Sequence, residues 1–184
     1  MHPDAWLVVI DPQRIFADAS SPWGSPMFPA VVDPVRRLAS AAGRRTVVTR
    51  WVPAADPQGS WAAYLEAWPF ADVAEDDPLL ELVPSAQGLG SEVVSLPTFG
   101  KWGPALEAVT GPTPHLVLAG VSTDCCVVST ALAAADAGAT ITVVTDACAG
   151  STPENHRAAL DVMALYPPQI TLAPSDEVLA EGNR

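Results

Sequence analysis

The sequence predicts an α/β fold in three layers: a mostly parallel central sheet of about six strands with helices on both faces, Rossmann-like in plan. Three observations predict it. Short apolar runs recur at residues 5–10, 45–50, 91–97, 116–119, 140–145 and 169–173, and segments of helical periodicity lie between them. The runs at 5–10 and 116–119 are apolar at consecutive positions, as strands covered on both faces require. Several runs stop at a turn residue, among them Asp11-Pro12, Gly120 and Asp146.

Residues 5–10, AWLVVI, form a buried strand that ends at Asp11. Ligands of open parallel sheets sit at the carboxyl ends of the strands, so an acid there is well placed; an ordinary Asp-Pro turn is the competing reading. The Ser-, Pro- and Gly-rich stretch QRIFADASSPWGSPMFP is a long loop over the sheet edge. Residues 30–42 form a helix, with Pro34 expected in its first turn and Gly43 ending it.

The strand at 45–50 leads through a loop to a helix over 60–68. Residues 69–90 are polar and Pro-rich, with a short helix expected around LLELV and a solvated acidic cluster at Glu75, Asp76 and Asp77. The strand at 91–97 exits into TFGKWGPALEAV, which sets Lys101 between a strand end and a helix running to about Val109.

Residues 116–138, LVLAGVSTDCCVVSTALAAADAG, read as a buried strand, a tight turn at Gly120 and a helix with apolar faces ending at Gly138. Ser122, Thr123 and Asp124 are all good N-cap residues, and Thr123 and Asp124 read as capping rather than catalytic. A strand at 140–145 ends at Asp146. A helix over 153–166 follows, capped by Ser151 or Thr152 with Pro153 at its first position. The strand at 169–173 and a short helix over 175–182 close the chain.

The 184 residues are expected to form one domain, 1–184, at 49% hydrophobic and 16% charged. A net charge of -12 argues against nucleic acid and against anionic membrane surfaces. No stretch approaches the roughly 18 apolar residues of a membrane span. The N-terminus lacks the basic region of a signal peptide. Cys125, Cys126 and Cys148 make an odd count without a disulfide-framework spacing, which points to a reduced, cytoplasmic protein. Cys148, His115 and His156 read as structural.

Three strand ends carry reactive groups: Asp11, Lys101 and the Cys125-Cys126 pair. Lys101 is the only lysine among nine Lys and Arg residues. Arginine stays protonated, whereas lysine is a tunable point charge, so a lone lysine marks a site that needs an ammonium. A helix N-terminus favours thiolate, so a lowered thiol pKa is expected at the cysteine pair. Carboxylate, ammonium and thiol together suit nucleophilic catalysis: the carboxylate takes the thiol proton, the ammonium orients it, and backbone N–H groups hold an oxyanion. Spacing alone leaves the choice between Cys125 and Cys126 open.

The segments VVIDPQRIF, Lys101 after the third strand, GVSTDCCVVSTALAAADAG and VVTDACAGSTPENHRAAL resemble, in order and across nearly the whole chain, the isochorismatase-like cysteine hydrolases. The resemblance implies that fold, and an Asp11, Lys101 and Cys126 triad with Cys125 in a variable slot. It also implies a cis peptide at Val121-Ser122 and an oxyanion site on that turn. The nicotinamidase branch of the family binds metal through an Asp and histidines after the second strand. Here that segment, TRWVPAADPQGSW, has no histidine, so neither metal nor other cofactor is expected.

A present cysteine then points to hydrolysis of a C–N bond in a small amide, carbamoyl-amine or ureido compound through a thioester. The alternatives are isochorismatase-type ether hydrolysis and a non-catalytic binding member of the fold. Phe16, Trp51 and Trp102 are candidate pocket walls, the loops after the first two strands and residues 69–90 candidate pocket borders, and Arg14 or Arg50 candidate partners for a substrate carboxylate. The expected partners are a small-molecule substrate and further copies of the chain, as dimer or tetramer.

Overall fold

In a computed structural model, which describes residues 1–182, six parallel strands run in the order β3-β2-β1-β4-β5-β6. They are β1 (Trp6–Ile10), β2 (Thr46–Trp51), β3 (Glu92–Leu96), β4 (His115–Val121), β5 (Thr140–Ala149) and β6 (Ile170–Ala173). The helices are α1 (Arg14–Ala17), α2 (Phe28–Ala42), α3 (Ser60–Ala67), α4 (Pro104–Thr110), α5 (Val128–Asp136), α6 (Pro153–Met163) and α7 (Ser175–Glu181).

Alternation along the central strands explains the consecutive apolar runs. Val8 and Ile10 of β1, with Leu116 and Leu118 of β4, pack against α4, α5 and α6 through Leu106, Ala131, Ala134 and Met163. Leu7, Val9, Val117 and Ala119 point the other way, against Val35, Leu38 and Ala39 of α2 and Val178 of α7. A third apolar cluster, including Ile15, Phe28, Leu65 and Leu80, sits beyond the carboxyl edge of the sheet and roofs it.

The strand order reverses between β1 and β4, and at such a switch point the crossovers leave to opposite faces and open a crevice. β1 and β4 pair from Trp6↔Leu116 to Ile10↔Gly120, so Asp11 and the turn after β4 leave the sheet side by side. Among the described residues no helix is long and apolar enough to cross a membrane.

Several boundaries differ from expectation. Helix α2 starts at Phe28, so Pro34 lies past its first turn; the stripe of Val31, Val35 and Leu38 holds the helix together across the one missing N–H. No helix forms over LLELV. A 3₁₀ turn over Pro78–Leu80, with Asp77 Oδ1 accepting from Leu79 N–H at 2.8 Å, gives way to an isolated bridge between Leu82 and Gln13. β5 runs past Asp146 to Ala149, because Asp146 takes two hydrogen bonds from Ser175 at the start of α7 and the strand re-pairs with β4 beyond a register shift.

Candidate active site

Asp11 leaves β1 with a φ of 47°, the one positive value at a non-glycine residue among the described residues. Aspartate tolerates this left-handed region better than most side chains. Across from it, Gly120 of β4 has a φ of 114°, and a Cβ there would stand 2.2 Å from the Ile10 carbonyl oxygen. Only glycine lets the two strands come this close where both turn into the site.

Thr49 on β2 fixes the carboxylate. The Asp11 N–H donates to Thr49 Oγ1 at 3.1 Å, and the Thr49 hydroxyl donates to Asp11 Oδ1 at 2.7 Å. Asp11 Oδ2 faces Lys101 Nζ at 3.1 Å, with both side chains fully enclosed. The contact is one of charge without hydrogen-bond alignment, so Oδ2 keeps a lone pair for a proton. The Cys126 thiol is buried beside the same carboxylate, close enough for each group to shift the other's proton affinity.

Lys101 comes from farther away than neighbouring strand ends would bring it. β3 is the sheet edge, with β2 between it and β1. The segment after β3 folds back over β2, and two contacts tie it down. Lys101 Nζ donates to the Thr98 carbonyl at 2.7 Å, and the Lys101 N–H donates to Thr130 Oγ1 at 2.9 Å. Thr130 in turn donates to the Cys126 carbonyl at 2.6 Å. One buried hydroxyl thus joins the lysine segment to the cysteine turn.

The Val121-Ser122 peptide is cis, and residues Thr123–Val127 form a π turn before α5. The Ser122 carbonyl accepts the N–H groups of Cys125 at 3.0 Å and Val127 at 3.1 Å, on either side of Cys126. The expected capping by Thr123 and Asp124 does not occur, because a wider turn aims both side chains at the segment after β5. Asp124 accepts from Ser151 N–H at 2.7 Å and from Ser151 Oγ at 2.6 Å, and Thr123 Oγ1 pairs with His156 Nδ1 at 2.8 Å. Thr152 caps α6, accepting from Asn155 N–H at 3.1 Å. His115 pairs with Thr142 at 2.9 Å, away from the site.

The expectation of a lowered thiol pKa fails. Burial pushes the Cys126 thiol well up, and the Asp11 charge adds to this; Lys101 acts in the opposite direction and does not prevail. The helix N-terminus does not offset full enclosure. Burial also raises Asp11, against the lowering effects of Lys101, Thr49 and Cys126. The resting site therefore holds a neutral thiol against a carboxylate whose affinity for a proton is increased.

Cys126 opens into a cavity of about 200 Å³. Phe16, Trp23, Trp51, Tyr64 and Phe99 form its aromatic wall; Ser122, Asp124, Cys125 and Ser151 form the polar side. Asp11, Lys101 and Cys126 are brought together, Phe16, Trp51 and Ser122 face the cavity, and Val121 is buried behind the turn. Trp102 does not line it. It packs against the core beneath the strands, because the fold-back that buries Lys101 turns Phe99 toward the cavity instead.

Neither arginine lines the cavity. Arg14 pairs with Glu81 at 3.3 Å, and Arg50 donates to the carbonyls of Leu80 and Glu75. Residues 69–90 contribute no lining side chain; they act from behind, as where Phe70 packs edge-on against Trp23 at 4.9 Å. Among the described residues no three His, Cys, Asp or Glu side chains converge as a metal site would need, and the segment after β2 offers Asp56 alone.

Three supporting residues escaped the sequence reading. Thr49 is a hydroxyl inside an apolar strand, and Thr130 lies four residues after Cys126 on one helix face. Both patterns were visible but also fit ordinary packing. Gln13 follows Asp11-Pro12 and is fully buried; its amide donates to the carbonyls of Trp51 (2.9 Å) and Leu80 (2.8 Å) and accepts from Trp51 N–H (2.7 Å).

The chain matches the isochorismatase domain family over residues 5–174. Among solved structures, it resembles an isochorismatase family protein from Desulfovibrio vulgaris with a TM-score of 0.80 at 22% identity, covering 98% of this chain and 99% of the other. A cysteine hydrolase from Pseudomonas syringae pv. phaseolicola gives a TM-score of 0.79 at 17% identity, covering 98% and 93%. The MAR1 ribonuclease of Caenorhabditis elegans gives 0.73 at 20% identity, covering 97% and 81%. At these identities the likeness is one of fold. No curated protein sequence matches the chain.

Proposed function

The chain belongs to the isochorismatase family of hydrolases, and we propose that within it the protein is a cysteine-nucleophile enzyme cleaving a C–N bond of a small amide, carbamoyl-amine or ureido compound. The observation that carries this reading is the burial of the Cys126 thiol beside an Asp11 carboxylate already paired to Lys101, where the thiol opens into a cavity.

The carbonyl group of the substrate enters beside Cys126, with its oxygen toward the backbone N–H groups of Ser122 and Cys126. Asp11 takes the thiol proton as sulfur attacks the carbonyl carbon. The same enclosure raises both proton affinities, which makes Asp11 a stronger base than a carboxylate in water. Asp11, now a carboxylic acid, gives that proton to the leaving nitrogen as the C–N bond breaks, and a thioester to Cys126 remains. Water then attacks the thioester while Asp11 accepts one of its protons. Collapse breaks the C–S bond, releases the acid and returns the proton to sulfur. Lys101 keeps Asp11 oriented and balances its charge throughout, and Thr49 holds the oxygen not in use.

Ammonia or amine release across a panel of small amides, carbamoyl amines and ureido compounds tests the reading. Cys126→Ala and Asp11→Asn should each lower turnover by about 1,000-fold or more. Full turnover by Cys126→Ala would overturn it. Loss of an ether-cleaving activity in Asp11→Asn but not in Cys126→Ala would assign the isochorismatase-type reaction instead.

A further inference from the structure

The walls of the cavity bear on the end of the substrate that does not react. Its aromatic side chains are in mutual contact. The Trp23 ring lies 5.5 Å from Trp51 at 72° and 5.7 Å from Tyr64, and Tyr64 lies 5.4 Å from Phe99 at 90°. Phe16 and Trp23 are nearly parallel at 4°, with centroids 6.1 Å apart. A flat ring slotted between two parallel rings needs about 7 Å between them, twice a carbon contact of about 3.5 Å. The parallel pair, Phe16 and Trp23, stands closer than that, so no ring slots between them in this wall. It is a continuous aromatic surface suited to a compact, rounded group.

Charge narrows the choice further. No Lys, Arg or His side chain lines the cavity. Lys101 is enclosed and committed to Asp11 and the Thr98 carbonyl, so that pair is neutral as a unit. Asp124 is then the one charged side chain on the cavity wall, and the two hydrogen bonds from Ser151 hold its carboxylate in place without cancelling its charge. The chain as a whole carries -12, and a cleft in such a protein focuses negative potential.

We infer that the cavity selects substrates whose non-reacting end is a compact cation, a primary or methylated ammonium, held against Trp23, Tyr64 and Phe99 and countered by Asp124. The inference rests on the cavity being the substrate site of the proposed hydrolase. It disfavours carboxylate-bearing substrates, ureido acids among them, because their charge meets Asp124 and finds no base to pair with.

Equilibrium binding to the wild-type protein tests this without turnover, read by calorimetry and tryptophan fluorescence. The probes are choline, the neutral alcohol in which a tert-butyl group replaces the trimethylammonium group, and isovalerate as a compact anion. Choline should bind at least about tenfold more tightly than its neutral isostere, with isovalerate weakest. The preference should shrink several-fold in Trp23→Leu and in Asp124→Asn. Equal or tighter binding of the isostere, or no choline binding, overturns the inference whether or not the variants fold. Cation binding without any amide turnover would sink the hydrolytic reading and leave the cage standing; amide turnover with no cation preference would do the reverse.

Discussion

Lys101 Nζ lies 3.1 Å from Asp11 Oδ2, and neither side chain has any surface open to solvent. An enclosed ion pair loses most when one partner is removed, because the other is left charged and unpaired. Lys101→Met should therefore lower stability by about 3–5 kcal/mol at neutral pH and abolish turnover. The sign with pH follows from Asp11, whose proton affinity in the folded state is already raised by burial and would rise further without the ammonium. A raised folded pKa contributes stability below the unfolded value and loses it as pH rises through the folded one. Urea midpoints of the variant should thus approach wild type below the ordinary carboxylate range and fall away above it. A deficit independent of pH would contradict the assignment.

Gln13 gives a second prediction. Its side chain makes three buried hydrogen bonds to the backbone at Trp51 and Leu80, joining the end of β2 to the segment that roofs the sheet. Gln13→Leu keeps the volume and removes all three bonds; the Leu80 carbonyl keeps its Arg50 donor, while the buried Trp51 N–H and carbonyl are stranded at about 1–3 kcal/mol each. The expected result is a loss of about 3 kcal/mol or more in urea unfolding, with KM raised because Trp51 loses its anchor. A variant as stable as wild type would show that water or relaxation replaces these bonds.

What the sequence made legible follows from how local each signal is. The buried strands show as apolar runs because α2 and α7 cover one face of the sheet and α4, α5 and α6 the other. Lys101 showed by its rarity and Asp11 by its place after a strand. The direction of the thiol pKa did not show, since it depends on total enclosure, which a helix-start pattern does not reveal. Nor did the roles of Trp102 and Phe99, three residues apart, because the fold-back after β3 decides which one faces the cavity. Thr123 and Asp124 fit a cap pattern equally well with their true partners, His156 and Ser151, far along the chain.

Thr130 bridges the Lys101 N–H and the Cys126 carbonyl, and touches no point of the cavity. It is a positioning residue whose effect should fall on the chemical step. Thr130→Val keeps the shape and removes the hydroxyl, and the expected outcome is a kcat lowered by about 10- to 100-fold with KM little changed, as for a lost buried hydrogen-bond pair. Thr130→Ser should recover most of the rate. A Thr130→Ser variant as impaired as Thr130→Val would mean that the methyl packing matters rather than the bridge.

Cys148 is buried on β5 with Sγ 3.6 Å from the Leu118 carbonyl of β4, and burial pushes its thiol from 9.0 up to about 12. The unfolded chain ionises this thiol near 9, while the folded protein keeps it protonated until about 12. Its contribution to stability is therefore complete below pH 9 and is lost progressively as pH rises from about 9 to about 12. One pH unit inside that window corresponds to about 1.4 kcal/mol for a single group. Between pH 8 and pH 10, wild type should lose about 1.4 kcal/mol more than Cys148→Ala in urea unfolding. The variant should still decline, because Cys126 is raised in the same direction by its own burial. Parallel curves for the two proteins would show that Cys148 already reaches solvent in the folded state.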